Sequence, residues 1–313
     1  MKTAFLFPGQ GAQTVGMGKD IYEKYEETRN VFEKASEISG MDIKKICFEG
    51  PEEILMKTEN TQIAILTTSL AILKVIENKG INADIATGLS LGEYAALIYA
   101  GYFSFETGIQ LIKKRGYYMG NFIENEKNEE YSMAAVIGLN FEKIENICEE
   151  IKKSGKFIIP ANYNCSNQIV ISGTKDAIDI AIDKLKNNGA KRVIKLKTSG
   201  PFHTEKMEKA SKLFKQELDK VEFKEGNGVK VIKNLDGKFY NKDDNFKKIL
   251  SEHIISPVRF DKSIELMKNQ NIKRFIEIGP GKTLTGFVKR DYPEAELYNI
   301  NNLESLEKFI NKS

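Results

Sequence analysis

The chain has 313 residues, of which 41% are hydrophobic and 29% charged, an ordinary globular composition in a length that predicts one large domain carrying a smaller one. Its 47 basic and 44 acidic residues leave a net charge of +3, too small to argue for binding to nucleic acid. No stretch reaches about 18 uncharged apolar residues, and the opening apolar run breaks at Pro8-Gly9, so nothing reads as a membrane span or a targeting segment.

In chain order, an apolar strand over Thr3–Phe7 leads into the glycine-rich loop Pro8-Gly9-Gln10-Gly11. Helical periodicity follows near Lys19–Ser39 and again over Gln62–Lys79. A short strand at Ile85–Thr87 then enters Gly88-Leu89-Ser90-Leu91-Gly92-Glu93, and a helix-like stretch runs from Tyr94 to Ala100. Strands alternating with helices predict a parallel sheet with helices on its faces. The polar stretch Glu124–Glu130 reads as a surface crossing between domains. After it come a strand (Met133–Gly138), a helix (Phe141–Lys153), two strands (Phe157–Asn162 and Gln168–Ser172), a helix (Lys175–Asn187) and a strand (Arg192–Lys197). That β-α-β-β-α-β order is the order of a ferredoxin-like unit. The expected fold is therefore α/β. Residues 1–130 and 198–313 are expected to form a large subdomain with a hydrolase-like parallel-sheet core, and residues 131–197 a small inserted ferredoxin-like subdomain.

A serine between two glycines at a strand-to-helix turn is the pattern of a nucleophile elbow, in which the turn is too sharp for side chains on its flanks. Ser90 would stand above the positive end of the following helix, placed for covalent catalysis on an acyl group. Its hydroxyl needs a base, and the chain offers two histidines, His203 and His253. Three cysteines, Cys47, Cys148 and Cys165, have no metal spacing and fit no closed disulfide framework, which reads as reduced thiols in a cytoplasmic protein. Gly279-Pro280-Gly281-Lys282-Thr283 fails as a phosphate loop, because the glycine required five residues before Gly281 is Ile276.

Five segments in order carry a more specific signal: Phe5–Gln13, the Ser90 elbow, Lys114–Met119, Gly200-Pro201-Phe202-His203 and Phe275–Gly281. Together, from Phe5 to about Val288, they resemble the malonyl-CoA:acyl-carrier-protein transacylases of dissociated fatty-acid synthesis and the acyltransferase domains of polyketide synthases. The resemblance implies ping-pong transfer of a malonyl group from malonyl-CoA, through an acyl-Ser90, to the phosphopantetheine thiol of acyl carrier protein, with no metal or redox cofactor. It implies that His203 is the base and that the backbone carbonyl at His253, where the family usually has glutamine, orients it. The backbone N–H groups of Gln10 and Leu91 would form the oxyanion hole, where losing one donor typically costs about 3 kcal/mol. Arg115 would grip the malonyl carboxylate with paired hydrogen bonds. Phe202 would crowd an α-methyl branch, and Gln62 would line the cleft or else be purely structural. Leu89 departs from the histidine common in the family. The basic run Lys184, Lys186, Lys191, Arg192, Lys195 and Lys197 would face an acidic carrier, or else be a solvated surface. A serine hydrolase is the competing reading, but no acidic residue between serine and histidine carries the signature its triad needs.

Overall fold

The structure is a computed structural model that describes residues 1–125, 129–197 and 200–312. Part of the predicted crossing (126–128), the start of the predicted return to the large subdomain (198–199) and residue 313 lie outside the described residues.

Ten strands form two sheets. We number them β1 (Thr3–Phe7), β2 (Ile85–Gly88), β3 (Tyr131–Ile137), β4 (Ile158–Cys165), β5 (Gln168–Thr174), β6 (Arg192–Lys195), β7 (Lys230–Val231), β8 (Val258–Arg259), β9 (Arg274–Ile278) and β10 (Glu296–Ile300). The larger sheet is parallel throughout, in the order β10-β9-β1-β2-β7. Every residue of β1 and β2 is buried, which is why these strands read as unbroken apolar runs and not as alternating ones. The helix Thr58–Asn78 is buried on nearly every side and packs against the amphipathic helix Phe105–Asn125. It begins a turn earlier than the periodicity predicts.

The predicted helix Lys19–Ser39 is two helices, Lys19–Lys24 and Glu26–Ser39, separated by an extended Tyr25. The break is held by side chains from beyond it: Thr28 Oγ1 donates to the Tyr25 carbonyl (2.7 Å), and Arg29 donates to the carbonyls of Tyr22 and Glu23. Those groups satisfy the orphan carbonyls of the first helix end.

The second sheet has the order β6-β3-β5-β4-β8. Its first four strands pair antiparallel. The helices Phe141–Lys153 and Lys175–Asn187 bury Ile144, Ile151, Ile178 and Leu185 against Val136, Ile169 and Ile171. Its fifth strand, β8, comes from the C-terminal half and pairs parallel with β4, Asn162 opposite Val258. Asp291 adds a second tie, accepting from the N–H (2.8 Å) and the hydroxyl of Ser166 in the β4–β5 turn. The molecule is thus mixed α/β, with one parallel sheet and one mostly antiparallel sheet. No helix among the described residues is long and apolar enough to cross a membrane.

Candidate active site

Ser90 lies where β2 turns into the helix Gly92–Tyr99. Its φ of +54° is left-handed, a conformation that costs a non-glycine residue of order 1–3 kcal/mol. The flanking glycines are dictated by contact. A Cβ on Gly88 would stand 2.1 Å from the carbonyl carbon of Gly92, and one on Gly92 would stand 2.1 Å from the Phe7 carbonyl oxygen. The Pro8–Gln10 loop lies directly against the elbow, since a Cβ on Gly9 would meet the Leu89 carbonyl oxygen at 2.4 Å.

His203 also has a positive φ, +59°, and is buried. Its Nε2 lies 2.9 Å from Ser90 Oγ, and its Nδ1 lies 2.9 Å from the backbone carbonyl oxygen of His253. A carbonyl only accepts, so Nδ1 carries the proton and Nε2 is left to receive one from the serine. Burial, reinforced by the nearby Arg115 charge, lowers the His203 pKa to about 4. The imidazole is therefore neutral at pH 7, the form a general base requires.

Arg115 projects from the helix Phe105–Asn125 into the same place and is 1% exposed. Nη2 donates to Ser90 Oγ (3.0 Å) and Nη1 to Gln62 Oε1 (2.7 Å), while the guanidinium lies over the Tyr94 ring, 5.6 Å from its centroid. Gln62, itself buried, also points its amide nitrogen at Met119 Sδ (3.4 Å). His203 and Arg115 thus meet at the Ser90 oxygen, with Gln62 one hydrogen bond further back, behind Arg115. The N–H groups of Gln10 and Leu91 bond to no other described residue, leaving both donors free beside the elbow. The Gln10 side chain instead turns toward Thr58 Oγ1 (3.4 Å). Phe202 is buried in the main core next to the base.

The His253 ring contributes no hydrogen bond. Both of its nitrogens are buried without a hydrogen-bond partner among the described residues, although Nδ1 lies 3.6 Å from Glu93 Oε2. Burial, with His203 and Arg115 adding to it, pushes its pKa well below the ordinary histidine value. The basic run lies apart from this cluster. Lys184, Lys195 and Lys197 pair with Glu150, Asp179 and Glu52, whereas Lys186, Lys191 and Arg192 form no ion pair among the described residues.

Sequence reasoning missed Asn234, Glu93 and Tyr240. Asn234 bonds to the elbow on both sides of Leu89. Glu93 is fully buried, accepts from the Asn234 N–H (3.0 Å) and from the Tyr240 hydroxyl, and has its pKa raised by burial to about 7. An asparagine in Lys-Asn-Leu-Asp-Gly reads as turn chemistry, and a glutamate in a helix's first turn reads as solvated, so neither announces itself.

Residues 4–308 match the profile of the family described as acyl transferase domain. The chain is 39% identical over 309 residues to a malonyl CoA-acyl carrier protein transacylase of Bacillus subtilis (strain 168), across 99% of this chain and 96% of that one. The crystal structure of a malonyl CoA-acyl carrier protein transacylase from Clostridium perfringens ATCC 13124 aligns with a TM-score of 0.92 at 41% identity, covering 100% of this chain and 97% of that chain. A malonyl-transacylase solved in complex with a type II PKS acyl-carrier protein aligns with a TM-score of 0.93 at 33% identity, covering 100% of both chains. Likeness in sequence and likeness in fold extend over the same full length, and the chain belongs to the acyl transferase domain family.

Proposed function

We propose that the protein transfers a malonyl group from malonyl-CoA to the phosphopantetheine thiol of acyl carrier protein, supplying fatty-acid chain elongation. The observation that carries this reading is the single oxygen, Ser90 Oγ, held between a neutral base at 2.9 Å and a buried guanidinium at 3.0 Å. Nucleophile, base and a fork for a carboxylate converge where an acyl group with a free acid end would react.

In the first half-reaction Ser90 Oγ attacks the thioester carbon and His203 Nε2 takes the hydroxyl proton. The resulting oxyanion is met by the free N–H groups of Gln10 and Leu91. The tetrahedral intermediate collapses by breaking the C–S bond, and His203 returns the proton to the departing CoA thiol. In the second half-reaction the carrier's thiol gives its proton to His203 and attacks the acyl-serine. Collapse then breaks the C–O bond and restores the Ser90 hydroxyl. The His253 carbonyl holds the imidazole tautomer through both halves. The chemistry so written draws on no metal or redox cofactor, and malonyl-CoA is a substrate. Arg115, held by Gln62, receives the malonyl carboxylate, and Phe202 beside the base limits branching at the α carbon.

The architecture supports a division of labour. Residues 1–130 and 198–313 carry the chemistry on a hydrolase-like parallel core, and residues 131–197 form a ferredoxin-like insert. The spatial order β6-β3-β5-β4, with the insert's fourth strand beside its first and its third between first and second, supports the latter. An acidic carrier would meet Lys186, Lys191 and Arg192 first, with Lys184 and Lys195 available once their own carboxylates are displaced. A CoA thioester substrate and three unpaired buried cysteines fit a cytoplasmic setting.

The test is intact mass after mixing with malonyl-CoA. A malonyl adduct on the native chain, absent in Ser90→Ala and discharged faster by carrier protein than by water, is the expected result. Discharge by water at the same rate as by carrier would make the protein a hydrolase.

A further inference from the structure

The elbow leaves β2 at a point where its neighbour β7 has already ended, and a side chain takes over the ladder. β7 pairs with β2 only at Ile85–Lys230 and Ala86–Val231. Two further rungs follow: the Ile232 N–H donates to the Ala86 carbonyl (3.1 Å), and Thr87 Oγ1 donates to the Ile232 carbonyl (3.2 Å). Beyond them Asn234 Oδ1 accepts the Ser90 N–H at 2.7 Å, and Asn234 Nδ2 donates to the Gly88 carbonyl at 2.7 Å. A side-chain amide carries the donor and acceptor of a peptide group, so it closes the elbow's backbone as another strand would. Asn234 is fully buried and is itself aimed by its own N–H on Glu93 Oε2 (3.0 Å), whose other oxygen takes the Tyr240 hydroxyl.

Ser90 needs such a clamp, because its left-handed backbone persists only where the surroundings over-determine it. We infer that Asn234 is a positioning residue for the nucleophile. It touches no reacting atom. It sets the direction of Ser90 Oγ toward His203 Nε2, and so the rate of acylation. This rests on the acyl-serine reading above.

Asn234→Ala and Asn234→Asp in the full chain test it, with two readouts. One is the rate and saturation of Ser90 acylation by malonyl-CoA. The other is labelling of Ser90 by a fluorophosphonate, which needs the nucleophile but no malonyl carboxylate. Asn234→Ala should lower both rates on the order of 10²-fold, the usual effect of misplacing a reacting group by an ångström. The concentration of malonyl-CoA needed for saturation should stay the same, because Arg115 and Gln62 are untouched.

Asn234→Asp adds a signature that a merely structural role would not show. Ionised, the new carboxylate accepts the Ser90 N–H but has no donor for the Gly88 carbonyl. Protonated, it makes both bonds. The ratio of Asn234→Asp to native labelling should therefore climb as pH falls from about 8 to about 5, where protonation of a buried carboxyl is expected. Glu93, Tyr240, Arg115, His203 and His253 face this region, with Lys233 and Asp236 in the adjoining turn. Glu93, which accepts from the residue 234 N–H and whose pKa is raised to about 7, couples to the new carboxyl. The ratio is therefore also measured in a Glu93→Gln background, where the same climb is expected.

Unchanged labelling of a folded Asn234→Ala, judged by circular dichroism, or a ratio flat with pH, would overturn the inference. If Asn234→Ala does not fold, the pH ratio of Asn234→Asp decides alone. If the native chain labels with fluorophosphonate but never loads from malonyl-CoA, the acyl-donor reading fails while the positioning role is still decided by the labelling.

Discussion

Replacing Arg115 by alanine should change which acyl group the protein accepts. The guanidinium has five N–H bonds, of which one goes to Gln62 Oε1 and one to Ser90 Oγ, so three remain among the described residues. A malonyl carboxylate can take a bidentate pair from these without releasing Gln62. The cation is already out of water, and burial alone lowers its pKa, so little further desolvation opposes that pairing. Two charge-assisted bonds at about 1.5–3 kcal/mol each sum to about 3–6 kcal/mol, which is roughly 10²–10⁴-fold in acylation rate. Acetyl-CoA, without the carboxylate, should lose far less. The assay is the second-order rate of Ser90 acylation by each thioester, read by quenched intact mass. Arg115→Lys should fall between, since an ammonium cannot present the fork. Arg115 also donates to Ser90 Oγ, so a rival account exists in which it merely holds the nucleophile. A matching fall for malonyl and acetyl in Arg115→Ala would establish that account and refute carboxylate recognition.

The acid limb of kcat/KM should stay flat from neutral pH down toward about 4, where the buried His203 titrates. In Arg115→Ala that limb should move upward, because the nearby positive charge is gone; a native limb near 6.5 would mean a solvated base. His253→Gln should leave acylation unchanged, since the hydrogen bond that orients His203 comes from the backbone carbonyl of His253 and its ring, 5.0 Å from the His203 ring by centroid, adds only packing. It should also soften acid unfolding: with a folded pKa far below the unfolded value, His253 takes up a proton only on unfolding, so stability is lost as pH falls below about 6.5. Melting temperatures at pH 7.5 and 5 check the sign, and an equal drop in native and variant proteins would contradict it. Gly92→Ala should lower the melting temperature and abolish acylation, because its methyl group would sit 2.1 Å from the Phe7 carbonyl oxygen and overpacking typically costs about 1–3 kcal/mol. Calorimetry that shows no shift would mean the elbow yields more readily than its contacts imply.

The parallel core was legible because its strands are buried on both faces and so read as continuous apolar runs. β1 was read to the residue, and β2 to within one residue at its end. The helices Phe141–Lys153 and Lys175–Asn187 were legible because each has one apolar face. β7 and β8 were not, since two residues carry no periodicity and exist as strands only because β2 and β4 present open edges to them. The break at Tyr25 was hidden because the buried positions Ile21, Thr28, Phe32 and Ala35 keep helical spacing across it. The first helix end is capped by local side-chain bonds from Thr28 and Arg29, which hydrophobic periodicity does not record.

The site divides along the same line. Ser90 was readable because it sits in a local pattern that chemistry constrains, the elbow, where glycine is forced by contacts of 2.1 Å, whereas His203 and Arg115 were readable only through the resemblance of their segments to the transacylases. Asn234 and Glu93 were not, because their work lies in bonds to backbone atoms more than a hundred residues away, and no spacing rule links such positions. Yet the two reacting side chains, Ser90 at φ +54° and His203 at φ +59°, both occupy a backbone region that resists non-glycine residues. Strain at both ends of the proton transfer persists only if something else fixes each end. At His203 the ring is tied through Nδ1 to the His253 carbonyl. At Ser90 the backbone is tied to Asn234 and wedged by the close approach of Gly92 to Phe7. The 2.9 Å contact between base and nucleophile is therefore a property of these anchors as much as of the residues that react, and loosening either anchor should lengthen it.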